Sequence, residues 1–206
     1  MSLQERIFDT PSLYRMKIVL LSRVGKYAKR YFKKTWDVQD IVLRFNVRSI
    51  VDLGCGRGDL QTNLGLDVEK FYGIDPSFEM VKHASNLTKS FVVGRAENAP
   101  FRDNSFDLSV LSSVVHHIPI GKVVYAIEES LRVSSYTLIL DNINSNKGFV
   151  RLIKNIWWKC LDGGTKYRTL TEWHELYEQS GAKVLYENYS KPFRHFYIAV
   201  IKNGNR

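Results

Sequence analysis

With 206 residues, 44% of them hydrophobic and 25% charged, the chain is expected to fold as one domain whose core needs neither disulfide nor metal staples. No apolar run approaches the roughly 20 residues that span a bilayer, and the apolar stretch 18–21 is too short for a secretion signal. Cys55 and Cys160 lack the spacing of a zinc site or disulfide framework, so no membrane insertion and a cytoplasmic setting are expected, while the net charge of +9 favours anionic partners without selecting among RNA, membrane surfaces and metabolites.

Over 13–32, Leu20, Val24, Tyr27, Ala28 and Tyr31 recur at helical spacing with Arg23, Lys26, Lys29 and Arg30 largely between them, which predicts a basic amphipathic helix. A second helix is expected over 38–45. The run 49–53 is short, apolar and ends at glycine, as a buried parallel strand does. Further strands are expected over 71–74, 90–93, 106–115 and 136–140, alternating with helices over 78–87 and 121–133. A helix over 170–180 opens with a capping-box pattern, Thr169 or Thr171 ahead of Glu172 and Glu175, and two strands, 183–189 and 195–201, close the chain. Strands alternating with helices predict a doubly wound, mostly parallel sheet of seven strands, and the terminal pair predicts an antiparallel hairpin at one edge.

The segment 51–58 reads VDLGCGRG, which puts Gly54, Gly56 and Gly58 in the turn after the first strand, where backbone can approach a ligand. A dinucleotide fingerprint would need a glycine where Asp59 stands. A carboxylate at the first helical turn would also repel a pyrophosphate. Asp52, two residues ahead of the first glycine, suits a cationic amino-acid group. Asp75, closing the next strand in YGIDPS, stands where a carboxylate can accept both hydroxyls of a ribose. Either feature alone is equally a plain turn or a helix cap; the pair in order points to an adenosine compound that carries positive charge.

VDLGCGRG, YGIDPS and GRAENAPFRDNSFDLSVLSSVVHHIP together resemble the class I S-adenosylmethionine-dependent methyltransferases, in particular the type 11 group. The resemblance covers 49–142 closely and implies a Rossmann-like single domain. It would divide into a helical cap (1–46), a cofactor-binding core (47–141), a substrate-side insertion (142–170) and a C-terminal helix with a strand pair (171–206). It implies S-adenosyl-L-methionine as cofactor and S-adenosyl-L-homocysteine as product. Asp52, Gly54, Cys55 and Gly56 would line the methionine end, Asp75 and Pro76 the ribose, and Ala96 and Glu97 the adenine. Ser112 would offer its carbonyl to the amino group. Relatives usually carry an aspartate where this chain has Arg95, whose guanidinium accepts no hydrogen bond. Glu97, the backbone at Ala96, or stacking by Arg95 would then serve the base. Cys55 is expected to fill a small slot.

Methyl transfer from a sulfonium needs neither metal nor covalent intermediate, so positioning is most of the task. His116 and His117 follow the fourth strand at the edge where such sheets bind ligands, and one of them is expected to face the acceptor, as general base or as a shield for the cofactor. His174 and His195 have weaker claims. The 142–168 connection is basic and aromatic, with Phe149, Trp157, Trp158 and Tyr167 among Lys147, Arg151, Lys154, Lys159, Lys166 and Arg168. It suits a small-molecule acceptor, with RNA as the alternative. A noncatalytic binding or scaffold protein is the reading from another class.

Overall fold

The computed structural model describes residues 38–60, 68–86, 90–145, 148–149, 151–152, 155–156, 164–189 and 196–204. The expected basic helix over 13–32 lies outside them, as do Lys147, Lys154, Trp157, Trp158, Lys159, Cys160 and His195.

Helix α1 (Val38–Arg44) leads into strand β1 (Ser49–Leu53), followed by β2 (Lys70–Asp75), helix α2 (Phe78–Ala84), β3 (Phe91–Val93) and β4 (Phe106–Ser112). Helix α3 (Val123–Val133) runs directly into β5 (Ser134–Asn142), and helix α4 (Leu170–Gln179) precedes β6 (Ala182–Tyr189) and β7 (Phe196–Asn203). The seven strands form one sheet in the order β3-β2-β1-β4-β5-β7-β6. All pairs are parallel except those of β7, which runs antiparallel to both β5 and β6. The expected doubly wound sheet with an edge hairpin is therefore present.

Strand β1 is central, so both its faces are apolar. Val51 and Leu53 pack with Ile127 and Leu131 of α3 and Trp173 of α4. Ile50 packs on the other face with Val42 of α1 and Val81 and Ala84 of α2. After β1 the chain winds outward through β2 and β3, then returns to β4 on the opposite side of β1. The strand order reverses there, and the carboxyl ends of β1, β2 and β4 open a crevice of the kind in which α/β sheets hold ligands.

Several boundaries differ from expectation for local reasons. Strand β4 stops at Ser112, three residues short of the predicted 115, because Ser113 takes a left-handed φ of 53° and turns the chain out of the sheet. Strand β5 is two residues longer at each end than 136–140, since Ser134 caps α3 and opens the strand at once. Helix α2 ends at Ala84, short of 87, and a 3-10 turn, Ile120–Lys122, supplies the start of the helix expected from 121. Of the two capping patterns offered by the sequence, Thr169 with Glu172 forms: the Thr169 hydroxyl accepts from Glu172 N–H at 3.3 Å and Glu172 accepts from Thr169 N–H at 2.8 Å. Among the described residues, no helix is long and apolar enough to cross a membrane.

Gly73 lets β2 meet the glycine turn. A Cβ there would lie 2.8 Å from that of Cys55 and would overlap the Phe91 ring. Gly73→Ala is therefore expected to destabilise the fold by about 1–3 kcal/mol, the usual range for overpacking. Urea unfolding of wild type and variant checks this; an unchanged midpoint would show that the ring and the turn move apart freely.

Candidate active site

The turn after β1 is shaped by three glycines in backbone conformations that L side chains rarely adopt, with φ of 96° at Gly54, 51° at Gly56 and 77° at Gly58. The N–H groups of Gly54 and Cys55 both donate to the Ile74 carbonyl, at 2.8 and 2.9 Å, which ties the turn to the end of β2. A Cβ at Gly54 would overlap the Val114 side chain, whereas one at Gly56 would meet nothing within 4 Å among the described residues. Among these residues the Gly56 backbone is therefore open to approach.

Asp75 holds this geometry. One carboxylate oxygen accepts from Gly56 N–H at 2.9 Å, and the other accepts from Ser77 N–H at 2.9 Å. Ser77 in turn caps α2 by accepting from Met80 N–H at 3.4 Å. The helix-cap alternative raised for this acid belongs to Ser77. Asp75 serves both the loop and the cap, and the half-buried carboxylate stands at the edge of the crevice. Pro76 beside it is exposed.

Asp52 lies deeper, with only 2% of its surface exposed, and its Oδ1 has no hydrogen-bond partner among the described residues. Burial, reinforced by the nearby Asp75 charge, pushes its carboxyl from the ordinary 3.8 up to about 8. The group is held largely neutral at pH 7 until a cation approaches. Cys55 packs in the core beside Phe71 and Phe91, and burial and the two carboxylates drive its thiol far above the usual range. It fills space and supplies no thiolate.

Beyond Asp75 a cavity of about 390 Å³ is lined by Pro76, Val93, Gly94, Arg95, Asn98 and Pro100. The segment forming it is pinned to α3: Glu129 accepts from Ala99 N–H at 2.9 Å, and Arg132 donates to the Phe101 and Ala99 carbonyls at 2.9 and 3.1 Å. Ala96 is buried beneath it. Glu97 is engaged, accepting from Lys122 Nζ at 3.3 Å and lying 3.8 Å from Arg95, whose side chain is 63% exposed. Arg95 therefore borders the cavity as a donor-only group.

Ser112 ends β4 opposite β1. The two histidines that follow are unlike. His116 is only 1% exposed and its Nδ1 bonds to Asp141, whereas His117 is half-buried. Of the pair, His117 is the one with an accessible side chain. His174 lies elsewhere, paired with Glu187 on the α4 and β6 face. Among the described residues of the 142–168 connection, each basic side chain has a partner within the chain. Tyr167 and Arg168 are buried, Arg168 donating to the Val115 and Lys166 carbonyls, and Arg151 and Lys166 are both paired with Glu172. Asp141 and Arg168 were missed as site residues. Asp141 carried the same signal as Asp52 and Asp75, an acid closing an apolar strand, while Arg168 carried none. Among the described residues no group of three or more His, Cys, Asp or Glu is placed to hold a metal ion.

Residues 51–137 match the family described as a methyltransferase domain. Over these residues the chain is similar to class I methyltransferase domains. The domain is similar to an uncharacterised methyltransferase of Bacillus subtilis, YcgJ, at 29% identity over 101 residues, 45% of this chain and 40% of that protein. The crystal structure of YcgJ superposes with a TM-score of 0.63 at 18% identity, covering 76% of this chain and 92% of the other. A tRNA (carboxymethyluridine(34)-5-O)-methyltransferase of Arabidopsis thaliana is 35% identical over 86 residues, 41% of this chain and 20% of that protein. Magnesium protoporphyrin IX methyltransferase from Synechocystis PCC 6803 with bound S-adenosylhomocysteine shares the fold at a TM-score of 0.62 and 17% identity, covering 87% of this chain and 84% of that one. The chain thus spans 40% and 20% of the length of the two curated relatives it matches here.

The raised Asp52 value has a measurable consequence for stability. The unfolded chain releases this proton near pH 4 and the folded one near 8, so the ionised unfolded state gains as pH rises through that window. The slope is at most about 1.4 kcal/mol per pH unit. Stability of the ligand-free protein is expected to fall from pH 5 to pH 8, and Asp52→Asn to flatten that fall, as read from urea midpoints. Equal slopes in the two proteins would place the Asp52 proton elsewhere.

Proposed function

We propose that the chain transfers a methyl group from S-adenosyl-L-methionine to a small-molecule acceptor by direct in-line displacement. The observation that carries this reading is the buried, partly unpartnered Asp52 carboxyl beside the open backbone of Gly56. Such a site fits a ligand that brings its own cation, and the α-ammonium of a methionyl group is one.

Asp52 would take that ammonium, with the Ser112 carbonyl as a second acceptor, while Gly54 and Gly56 let the backbone approach. Asp75, half-buried at the carboxyl end of β2, would meet the ribose hydroxyls. The cavity bounded by Pro76, Gly94, Arg95 and Asn98 would take the base. Since Glu97 is engaged with Lys122, the backbone around Ala96 and the Arg95 guanidinium are the better-supported partners for the base. When bound, the sulfonium supplies an activated methyl and leaves as a neutral thioether. The chain's own task is to exclude water and align the acceptor, with His117 at hand to take a proton if the acceptor must lose one.

Two observations support a small acceptor. Arg151 and Lys166 are paired with Glu172, and Arg168 is turned inward, so these cations are not offered to a phosphate backbone. The RNA reading is favoured instead by the charge of +9 and by the similarity to the Arabidopsis tRNA methyltransferase.

Calorimetric titration with S-adenosylhomocysteine tests the cofactor assignment. Wild type is expected to bind, with Asp52→Asn and Asp75→Ala each weaker by at least about tenfold, the loss of one charge-assisted bond. No binding by wild type would overturn the assignment. Transfer of a labelled methyl group into a ribonuclease-sensitive fraction of a cell extract would overturn the small-molecule acceptor and leave the cofactor site standing.

A further inference from the structure

We propose that His116 is a positioning residue: clamped between Asp141 and Tyr167, it sets the orientation of His117 on the acceptor side and ties it to the far end of the 142–168 connection. The proposal rests on reading this sheet edge as the acceptor side.

Three rings meet here. The Tyr167 ring stacks on His116 with centroids 5.0 Å apart and planes 24° from parallel, and the His117 ring contacts His116 at 4.2 Å, tilted by 47°. The His116 ring cannot turn freely, because its Nδ1 bonds to Asp141 and the backbone N–H donates to the same carboxylate at 3.2 Å. Asp141 also accepts from Asn142 N–H at 2.6 Å, which fixes the carboxylate at the end of β5. A buried imidazole held in this way has its tautomer and ring plane set by its partner. The ring resting on it inherits a defined surface, so a restrained His116 restrains His117.

The clamp includes backbone. The His116 carbonyl accepts from Thr165 N–H at 2.6 Å and Lys166 N–H at 3.3 Å, and the Thr165 hydroxyl lies 3.0 Å from it and 3.1 Å from the Ile118 carbonyl. Arg168 donates to the Val115 carbonyl at 3.2 Å. Gly164 is needed for the approach, since a Cβ there would stand 2.8 Å from His116 Cδ2. The strap 164–168 is itself fastened to the start of the connection: Asn144 N–H donates to the Arg168 carbonyl at 2.7 Å, and Asn144 Nδ2 to that of Tyr167 at 3.3 Å. The two ends of the connection are therefore bonded to each other beside His116. A residue that only filled space would need neither the paired carboxylate nor three donors on its carbonyl.

The test reads His117 directly and needs no acceptor. In protein labelled with 13C and 15N at histidine, the His117 ring resonances are recorded for wild type, Tyr167→Phe, Tyr167→Leu and His116→Asn. Tyr167→Phe keeps the stacked ring and is expected to leave them in place. Tyr167→Leu, and His116→Asn, which keeps a side-chain N–H for Asp141 but no ring, are expected to move them. In both variants S-adenosylhomocysteine affinity should stay within about twofold of wild type, as for a site with separate partners. Unmoved His117 resonances in either folded variant overturn the proposal. So does a loss of affinity that parallels the shift, since the unit would then belong to the cofactor site. If Tyr167→Leu fails to fold, His116→Asn gives the same reading. Failure of wild type to bind S-adenosylhomocysteine would overturn the cofactor assignment and leave the ring coupling to stand on the spectra.

Discussion

Strand β1 carries a carboxyl group, Asp52, into the protein beside a turn of three glycines, and one of its oxygens has no partner among the described residues. Burying such a group is unfavourable unless it is paired, so the chain keeps it protonated, with Asp75 close enough to add to the effect. The geometry around that carboxyl depends on close backbone approach. The glycines open the backbone, Gly73 lets β2 approach, and Asp75 holds the turn through Gly56.

Asp141 shows what a strand-end acid looks like when the chain itself satisfies it. It is as buried as Asp52, yet it accepts from the His116 ring, the His116 backbone and Asn142. Near the ends of β1 and β5 the sheet thus holds the same residue type in opposite states, one acid satisfied by the chain and one with an oxygen that has no partner among the described residues.

Much of this was legible in the sequence, and the reasons are physical. The apolar runs ending at Asp52 and Asp75, and the glycine spacing between them, report backbone constraints that any fold must satisfy locally. The order of strands and helices followed from hydrophobic periodicity, and the Thr169 cap from its spacing to Glu172. What the sequence concealed depends on contacts between distant positions. His116 and His117 are neighbours with identical side chains, and only the turn at Ser113 and the strap at Thr165, 49 residues away, decide which one is buried. Arg168 reads as one more surface cation, yet burial lowers its pKa and its guanidinium lies 5.8 Å from the centre of the Trp173 ring. Glu97 looked available to a base until Lys122, 25 residues on, was placed beside it.

The protonation of Asp52 is the point at which the site is most directly exposed to measurement. Calorimetry of S-adenosylhomocysteine binding at pH 7, repeated in buffers of different ionisation enthalpy, counts the protons exchanged on binding. A carboxyl poised at about 8 that pairs with the ligand's ammonium must give up its proton, so wild type is expected to release a large fraction of one proton and Asp52→Asn to release none. Tight binding by wild type with no proton released would contradict the assignment of Asp52 as the group that waits for the ligand's cation.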